Sequence, residues 1–97
     1  MVQQPLVIIP SHSRQRLRQR GDGYTVADLR ERVVRACQLP EVVGNKRKRL
    51  ALVGDAVVPV VEVRQRTYGT RAVTRAVVVT VLGPGQKPGP GTILVNV

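Results

Sequence analysis

Aromatic and redox-active side chains are scarce in this chain of 97 residues, which has no Phe, no Trp, two Tyr, one His and one Cys. A lone Cys37 excludes an intramolecular disulfide, so the chain fits a reducing compartment or the interior of an assembly better than a disulfide-stapled secreted module. The single His and single Cys also leave little from which to build a metal site or a catalytic centre. We therefore expect no metal, no cofactor and no enzymatic activity.

Acidic residues are scarce as well, since 6 Asp and Glu stand against 16 Lys and Arg and the formal net charge is +10. Such a charge attracts anionic partners, either nucleic acid or an acidic protein surface. Most of the cations are Arg, whose planar guanidinium binds phosphate through two parallel hydrogen bonds. Because few aromatic rings are present to stack on bases, we expect contacts with the phosphate backbone and little dependence on base sequence.

Long apolar runs and a leader pattern are also missing. The longest apolar stretches, 57–63 and 76–82, fall far short of the roughly 20 residues that a membrane-spanning helix needs. The N-terminus lacks a basic region followed by a long apolar segment, the pattern of a signal peptide. We expect no membrane partner, and a location inside a cell or a virus particle rather than secretion through a signal peptide.

Val dominates the apolar composition and favours sheet, because a β-branched side chain suits a pleated surface better than a helix. Two Val-rich segments, 57–66 and 72–82, are joined by a short Gly-containing turn, which predicts a hairpin. Pro59 has no backbone N–H to donate a hydrogen bond to a neighbouring strand, so an edge strand or a β-bulge is expected there. In the second strand, strict alternation places Val81 on the face opposite Ala76.

A capped amphipathic helix is predicted over residues 26–38. Thr25 suits the N-cap position and Asp28 the third helical position of a capping box. Spacing of three and four residues predicts an apolar stripe made of Val26, Leu29, Val33, Ala36 and Cys37. The same spacing predicts that Asp28 and Arg32 form an ion pair on the outer side of the helix.

Two clusters of cations are the candidate binding sites. In the first, 11–23, a single Leu cannot offset the entropy lost when the segment becomes ordered, so we expect a segment that is mobile until it binds. In the extended conformation expected on binding, all four Arg side chains lie on one side of the chain. In a helix, the four Arg side chains would instead point in different directions around the helix axis. The second, 45–49, reads NKRKR. The candidate phosphate-binding residues are Arg14, Arg16, Arg18, Arg20, Lys46, Arg47, Lys48 and Arg49. The alternative is that both clusters are solvated segments, or that NKRKR is a nuclear-import-like signal.

The predicted architecture is a single small α+β domain with four parts. A basic extended N-terminal arm, 1–23, precedes a core, 24–82, in which one amphipathic helix packs on a Val-rich antiparallel sheet. The segment 83–91, GPGQKPGPG, cannot form regular structure and predicts a tether. Residues 92–97 are apolar again and predict a terminal strand, added to the chain's own sheet or to that of a neighbouring subunit.

These features predict a nucleic-acid-associated protein that binds the phosphate backbone with little sequence specificity. An alternative is a structural protein of a virus or phage particle, or of another homo-oligomeric assembly, whose terminal arms are exchanged between subunits through edge pairing. A ribosome- or RNA-bound accessory protein is a third possibility. Because apolar segments lie beyond a proline boundary and beyond a Gly/Pro tether, we expect a homo-oligomer.

Overall fold

The computed structural model describes residues 5–20, 23–39, 42, 47–54, 57–83 and 85–97. Within them the elements follow in the order β1 (Leu6–Ile8), α1 (Ser11–Arg20), α2 (Val26–Cys37), β2 (Arg47–Val53), β3 (Val58–Tyr68), β4 (Arg71–Leu82) and β5 (Ile93–Asn96). The strands form one sheet in the order β1-β4-β3-β2-β5. The helices pack on this sheet, which confirms the predicted α+β class.

The sheet is mixed, and the prediction of an antiparallel sheet is wrong at both edges. β3 runs antiparallel to β2 and to β4, as the predicted hairpin requires. β1 instead runs parallel to β4, and β5 runs parallel to β2. Parallel pairing needs a connection that crosses the sheet, and the chain makes two of them: the helical segment between β1 and β2, and the segment between β4 and β5. The predicted terminal strand is therefore an edge strand of the chain's own sheet.

The β3–β4 hairpin closes through two residues, because Tyr68 pairs with Arg71. Gly69 has a φ of 63°, and the described non-Gly residues all have negative φ. A positive φ at the first of two turn residues belongs to the type II′ connection, which matches the twist of the flanking strands and favours Gly at that position. The sequence prediction of this hairpin is confirmed.

A β-bulge interrupts the hairpin ladder close to Pro59. Val60 pairs with Thr80 and Val61 pairs with Val78, so Val79 is an extra residue in β4. The irregularity predicted from Pro59 is thus found one residue away, where the register shifts. The extra residue also reverses the alternation of β4 beyond it. Val81 is fully buried on the helix-facing side, and the prediction that it lies opposite Ala76 is wrong.

The core lies between α2 and one face of the sheet. The predicted capping box is present: Asp28 N donates to Thr25 Oγ1 (3.1 Å) and Thr25 N donates to the Asp28 carboxylate (3.0 Å). These bonds, the backbone one first, lower the pKa of the Asp28 carboxyl from its usual value. The helix ends at Cys37, one residue before the predicted end. Its buried stripe packs against inward-facing strand residues, among them Leu50, Leu52, Val61, Val63, Ala76, Val78 and Val95.

Arg32 lies in the core, and the prediction that it pairs with Asp28 on the outer side is wrong. Only 2% of Arg32 is exposed. Its guanidinium donates to the carbonyl oxygens of Val57 (2.6 Å), Leu52 (2.8 Å) and Val97 (3.1 Å). These carbonyls belong to the residue before β3, the end of β2 and the residue after β5. One side chain on α2 therefore ties together three segments at one end of the sheet.

Candidate nucleic-acid interface

The first cationic cluster forms a helix, α1, that covers part of the edge of β4. In the described chain, β1 pairs with β4 along residues 75–77. Beyond them, Ser13 Oγ donates to the carbonyl oxygen of Val78 (2.7 Å), and His12 Nε2 lies 3.0 Å from that of Val79. An uncovered edge is a template for pairing with other chains, and a helix is one way to block it. Polar side chains of α1 thus lie within hydrogen-bonding distance of carbonyl oxygens on the edge of β4, past the residues that β1 pairs with.

Arg20, one of the predicted phosphate-binding residues, takes part in this packing. Its Nη1 donates to the carbonyl oxygen of Val81 (2.6 Å) and to Gln86 Oε1 (2.7 Å). The same amide oxygen accepts a hydrogen bond from Gly83 N (2.8 Å). Arg20 therefore joins the end of α1 to the end of β4 and to the segment that follows.

The prediction of an extended arm is wrong for Ser11–Arg20, which form a helix, because it counted only apolar burial. Leu17 is indeed the one large apolar side chain of α1, and it is buried, which contributes roughly 1.5–3 kcal/mol. Ser13 is fully buried as well, and its hydrogen bond to β4 adds a net contribution of roughly 0.5–1.5 kcal/mol, with Arg20 adding more. Hydrogen bonds to a strand edge thus supply the stabilisation that the apolar residues of α1 cannot.

The solvent-facing side of α1 carries Arg14 and Arg18, which are one helical turn apart. Both are exposed and line a shallow groove with Ser11 and Gln15. Arg16 is exposed too, but about 200° around the axis from either of them. α1 carries no acidic residue, and Arg16 and Arg18 have no hydrogen bond or ion pair within the described part of the chain. A helix therefore spreads the four Arg residues and leaves Arg14 and Arg18 as an adjacent pair.

Of the second predicted cluster, the structure describes two side chains, those of Lys48 and Arg49, which are neighbours in β2 and lie on opposite faces of it. Lys46 lies outside the described residues, and of Arg47 the structure describes the backbone, in the strand. Lys48 is half-buried. Arg49 is exposed, with its Nη2 3.6 Å from a carboxylate oxygen of Glu62. Because β3 separates β2 from β4 and α1, the described residues of the two predicted clusters do not come together in one surface.

A pair of Arg residues on the face of the sheet that points away from α2 was not predicted from the sequence. Arg64 and Arg75 are paired across β3 and β4, where like charges directly opposite are unfavourable. Arg64 lies 3.2 Å from a Glu62 carboxylate oxygen and Arg75 is exposed. They line a depression of about 220 Å³, smaller than the roughly 300–1,000 Å³ of small-molecule pockets. The alternating pattern V-E-V-R-Q-R of β3 was the signal that could have revealed this pair.

Other kinds of site find no support in the described residues. Burial raises the pKa of the Cys37 thiol to about 11, so Cys37 is a protonated core residue at neutral pH and not an activated nucleophile. Nowhere in the described ranges do three His, Cys, Asp or Glu residues come together in a way that could hold a metal ion. Neither described helix has the length and apolar character needed to cross a membrane.

The fold and the exposed side chains define a two-layer α+β domain with a cationic helix along one sheet edge. Comparison with known proteins adds no relative: no protein-family model, no curated protein and no solved structure matches this chain. The function proposed below therefore rests on the geometry and the charges of the chain itself.

Proposed function

We propose that the chain binds the phosphate backbone of nucleic acid, with little dependence on base sequence, through Arg14 and Arg18 on the solvent-facing side of α1. The observation that carries this proposal is the exposure of both side chains on a helix without a single acidic residue. A guanidinium that already pairs with a carboxylate gains less from a phosphate. Arg14 and Arg18 have no such partner in the described residues, whereas Arg49 and Arg64 do.

The spacing of the two cations suits a phosphate chain. Four residues of an α-helix rise about 6 Å, whereas each strand of B-DNA carries one phosphate per roughly 3.4 Å of axis. Arg14 and Arg18 can therefore each contact a phosphate of the same strand, a nucleotide or two apart. The neighbouring Ser11 and Gln15 add neutral hydrogen-bonding groups, which suit phosphate and sugar oxygens and carry no sequence information.

The experiment that tests this proposal measures the binding of a labelled 30-base-pair DNA duplex by fluorescence polarisation between 50 and 200 mM salt. Replacing Arg14 and Arg18 together by Gln removes about two phosphate contacts and makes the slope of log K against log salt less negative by about 1.8. The matched control replaces Arg35 and Lys87 by Gln, because both are exposed and the same two charges are lost. The control slope should stay close to that of the unmodified chain.

Two results would overturn the proposal. The first is no binding to duplex or single-stranded DNA or to RNA at 50 mM salt. The second is an equal effect of the two double variants, which would mean that net charge alone attracts the nucleic acid. Urea unfolding midpoints of the variants check that a loss of binding does not reflect a loss of fold, since Arg14 Nε also donates to the carbonyl oxygen of Ile9 (3.1 Å).

The remaining interpretations stay predictions. The structural subunit of a virus particle was motivated by exchangeable terminal arms, but β1 and β5 both pair within the sheet of their own chain. No described contact favours a ribosome-bound protein over any other protein that binds nucleic acid. The homo-oligomer and the acidic protein partner are likewise untested.

A further inference from the structure

The two edges of the sheet differ in how they are protected against pairing with other chains. At one edge, Pro5 and Pro10 lie on either side of β1. Arg30 Nη1 donates to the carbonyl oxygen of Val7 in this strand (3.2 Å), and α1 covers part of β4 past the end of β1. Proline, cations and a covering helix are common means of blocking an edge strand. The edge formed by β1 is therefore protected.

The strand at the opposite edge, β5, has a different character. β5 is the last strand in the order of the sheet. The segment 92–97, TILVNV, contains no charged residue and no proline. Two of its apolar side chains are exposed to solvent, Leu94 to 61% and Ile93 to 38%. An exposed, uncharged and apolar edge strand is a template for pairing with another strand.

The backbone groups of β5 that face away from β2 belong to Leu94 and Asn96. Val97 N donates to the carbonyl oxygen of Val53 in β2 (3.1 Å). Consecutive residues of a strand direct their backbone N–H and C=O groups to opposite sides, so Val95 also faces β2. The N–H and C=O groups of Leu94 and Asn96 then point out of the sheet. The edge therefore presents both donors and acceptors to another strand.

We propose that two copies of this chain associate through β5, in antiparallel pairing about a two-fold axis that passes beside Val95. In this register Leu94 lies opposite Asn96 of the second copy, and the two residues exchange N–H···O=C bonds. The symmetry repeats this pair, so every outward N–H and C=O group of Leu94 and Asn96 finds a partner. Because the edge at β1 is protected, the assembly stops at two copies.

The side chains of β5 also suit a second copy of the same strand. Val95 is buried in the core, so alternation places Ile93 and Val97 on the same helix-facing side of the sheet. In the paired strands Ile93 lies opposite Val97 of the second copy, and Val95 lies opposite its own counterpart. The apolar layer thus continues from one sheet into the next, and the exposed part of Ile93 becomes buried.

Charge favours this segment over other surfaces as a contact between copies. Because the net charge is +10, two copies repel each other. Contact through the uncharged segment 92–97 brings no cation of one strand against a cation of the other. Salt screens the remaining repulsion, so the dimer should be more stable at high salt. Phosphate binding depends on salt in the opposite sense, and the dimer does not rest on the nucleic-acid binding proposed above.

The test measures the mass of the full chain by sedimentation equilibrium between about 5 and 500 µM, because an interface of one short strand gives weak association. The average mass should rise from 10.6 kDa towards twice that value, and at lower concentration in high salt. Leu94→Lys introduces one cation in each copy, about 7–8 Å apart across the pair, and should weaken the dimer at least about tenfold. Leu6→Lys is the matched control, because Leu6 is 56% exposed on β1 and gains the same charge; it should change the dimer less than about threefold.

A second pair of variants separates the backbone from the side chain. Asn96→Pro removes an N–H that faces away from β2 and leaves the bonds to β2 in place, so it should weaken the dimer at least about tenfold. Asn96→Ala keeps this N–H and should change the dimer less than about threefold. Urea unfolding midpoints check that each variant keeps its fold.

Amide hydrogen exchange of the unmodified chain reads the pairing directly. The amides of Leu94 and Asn96 should exchange more slowly at high than at low protein concentration, whereas those of Val95 and Val97 already bond to β2 and should not change. A monomeric mass at every concentration and salt, equal effects of Leu94→Lys and Leu6→Lys, or exchange at Leu94 and Asn96 that is independent of concentration would overturn the inference. None of these results alters the test of phosphate binding by α1, so the two proposals fail separately.

Discussion

Replacing Arg32, the buried Arg of α2, by Met should destabilise the fold strongly. Met keeps an unbranched apolar stem in the core but removes the guanidinium that donates to three backbone carbonyls. Substituting a side chain leaves those carbonyls in place, so the carbonyls of Val57 and Leu52 stay buried, and that of Val97 part-buried, without this donor. Each lost bond of this kind costs roughly 1–3 kcal/mol. Part of this cost is offset, because the Met variant no longer has to bury a charged guanidinium, and removing a charge from water is itself costly.

Together these terms predict a loss of about 3 kcal/mol in the free energy of unfolding. For a domain of this size that corresponds to a fall in Tm of about 15 °C. Urea unfolding monitored by circular dichroism measures the free energy directly. The matched control is Arg35→Met, one turn after Arg32 on the same helix but exposed, for which we expect a change within about 0.5 kcal/mol. A loss below about 1 kcal/mol for Arg32→Met would refute the claim that the Arg32 side chain stabilises the fold by bonding to three backbone carbonyls.

Three further changes test other parts of the fold. Ser13→Ala should cost about 1 kcal/mol, because it leaves a buried carbonyl of β4 without its donor, whereas Ser11→Ala should be neutral in the same urea titration. Thr25→Ala removes the capping box with Asp28 and should also cost about 1 kcal/mol; a neutral result would contradict the observed cap. Because the pKa of Cys37 is raised from 9.0 to about 11, its stabilising effect is complete below pH 9 and is lost as the pH rises towards 11. The unfolding free energy should therefore decline more steeply over this range than in a Cys37→Ala variant, and equal slopes would exclude the effect.

The elements that follow from local patterns were predictable from the sequence. The capped helix α2 rests on its capping box and apolar stripe, and the hairpin rests on two alternating segments around a glycine. The parallel pairings of β1 and β5 could not be predicted, because a short apolar segment does not reveal which edge it joins. The irregularity near Pro59 was predictable, but the position of the extra residue, Val79 in β4, was not, because Pro59 lies on the other strand.

The candidate site was only partly predictable, for a physical reason. An Arg-rich segment with one apolar residue predicts a mobile arm, as for Arg14 to Arg20, when a charged segment is expected to be disordered. In the structure Arg20 bonds to β4, and Arg32 bonds to three carbonyls in the core, so an Arg-rich sequence also supplies hydrogen-bond donors for packing. Which arginines serve the fold and which face solvent depends on tertiary contacts. A single sequence with regular Arg spacing does not contain that information.

The salt dependence of duplex binding tests the central claim most directly. If Arg14 and Arg18 each neutralise a phosphate, the apparent Kd of the unmodified chain for a DNA duplex should rise at least about twelvefold between 50 and 200 mM salt. In the variant with both residues changed to Gln, the rise should be about twelvefold smaller than in the unmodified chain. Affinity that does not change with salt, or the same salt dependence in both proteins, would contradict the proposal that α1 binds the phosphate backbone.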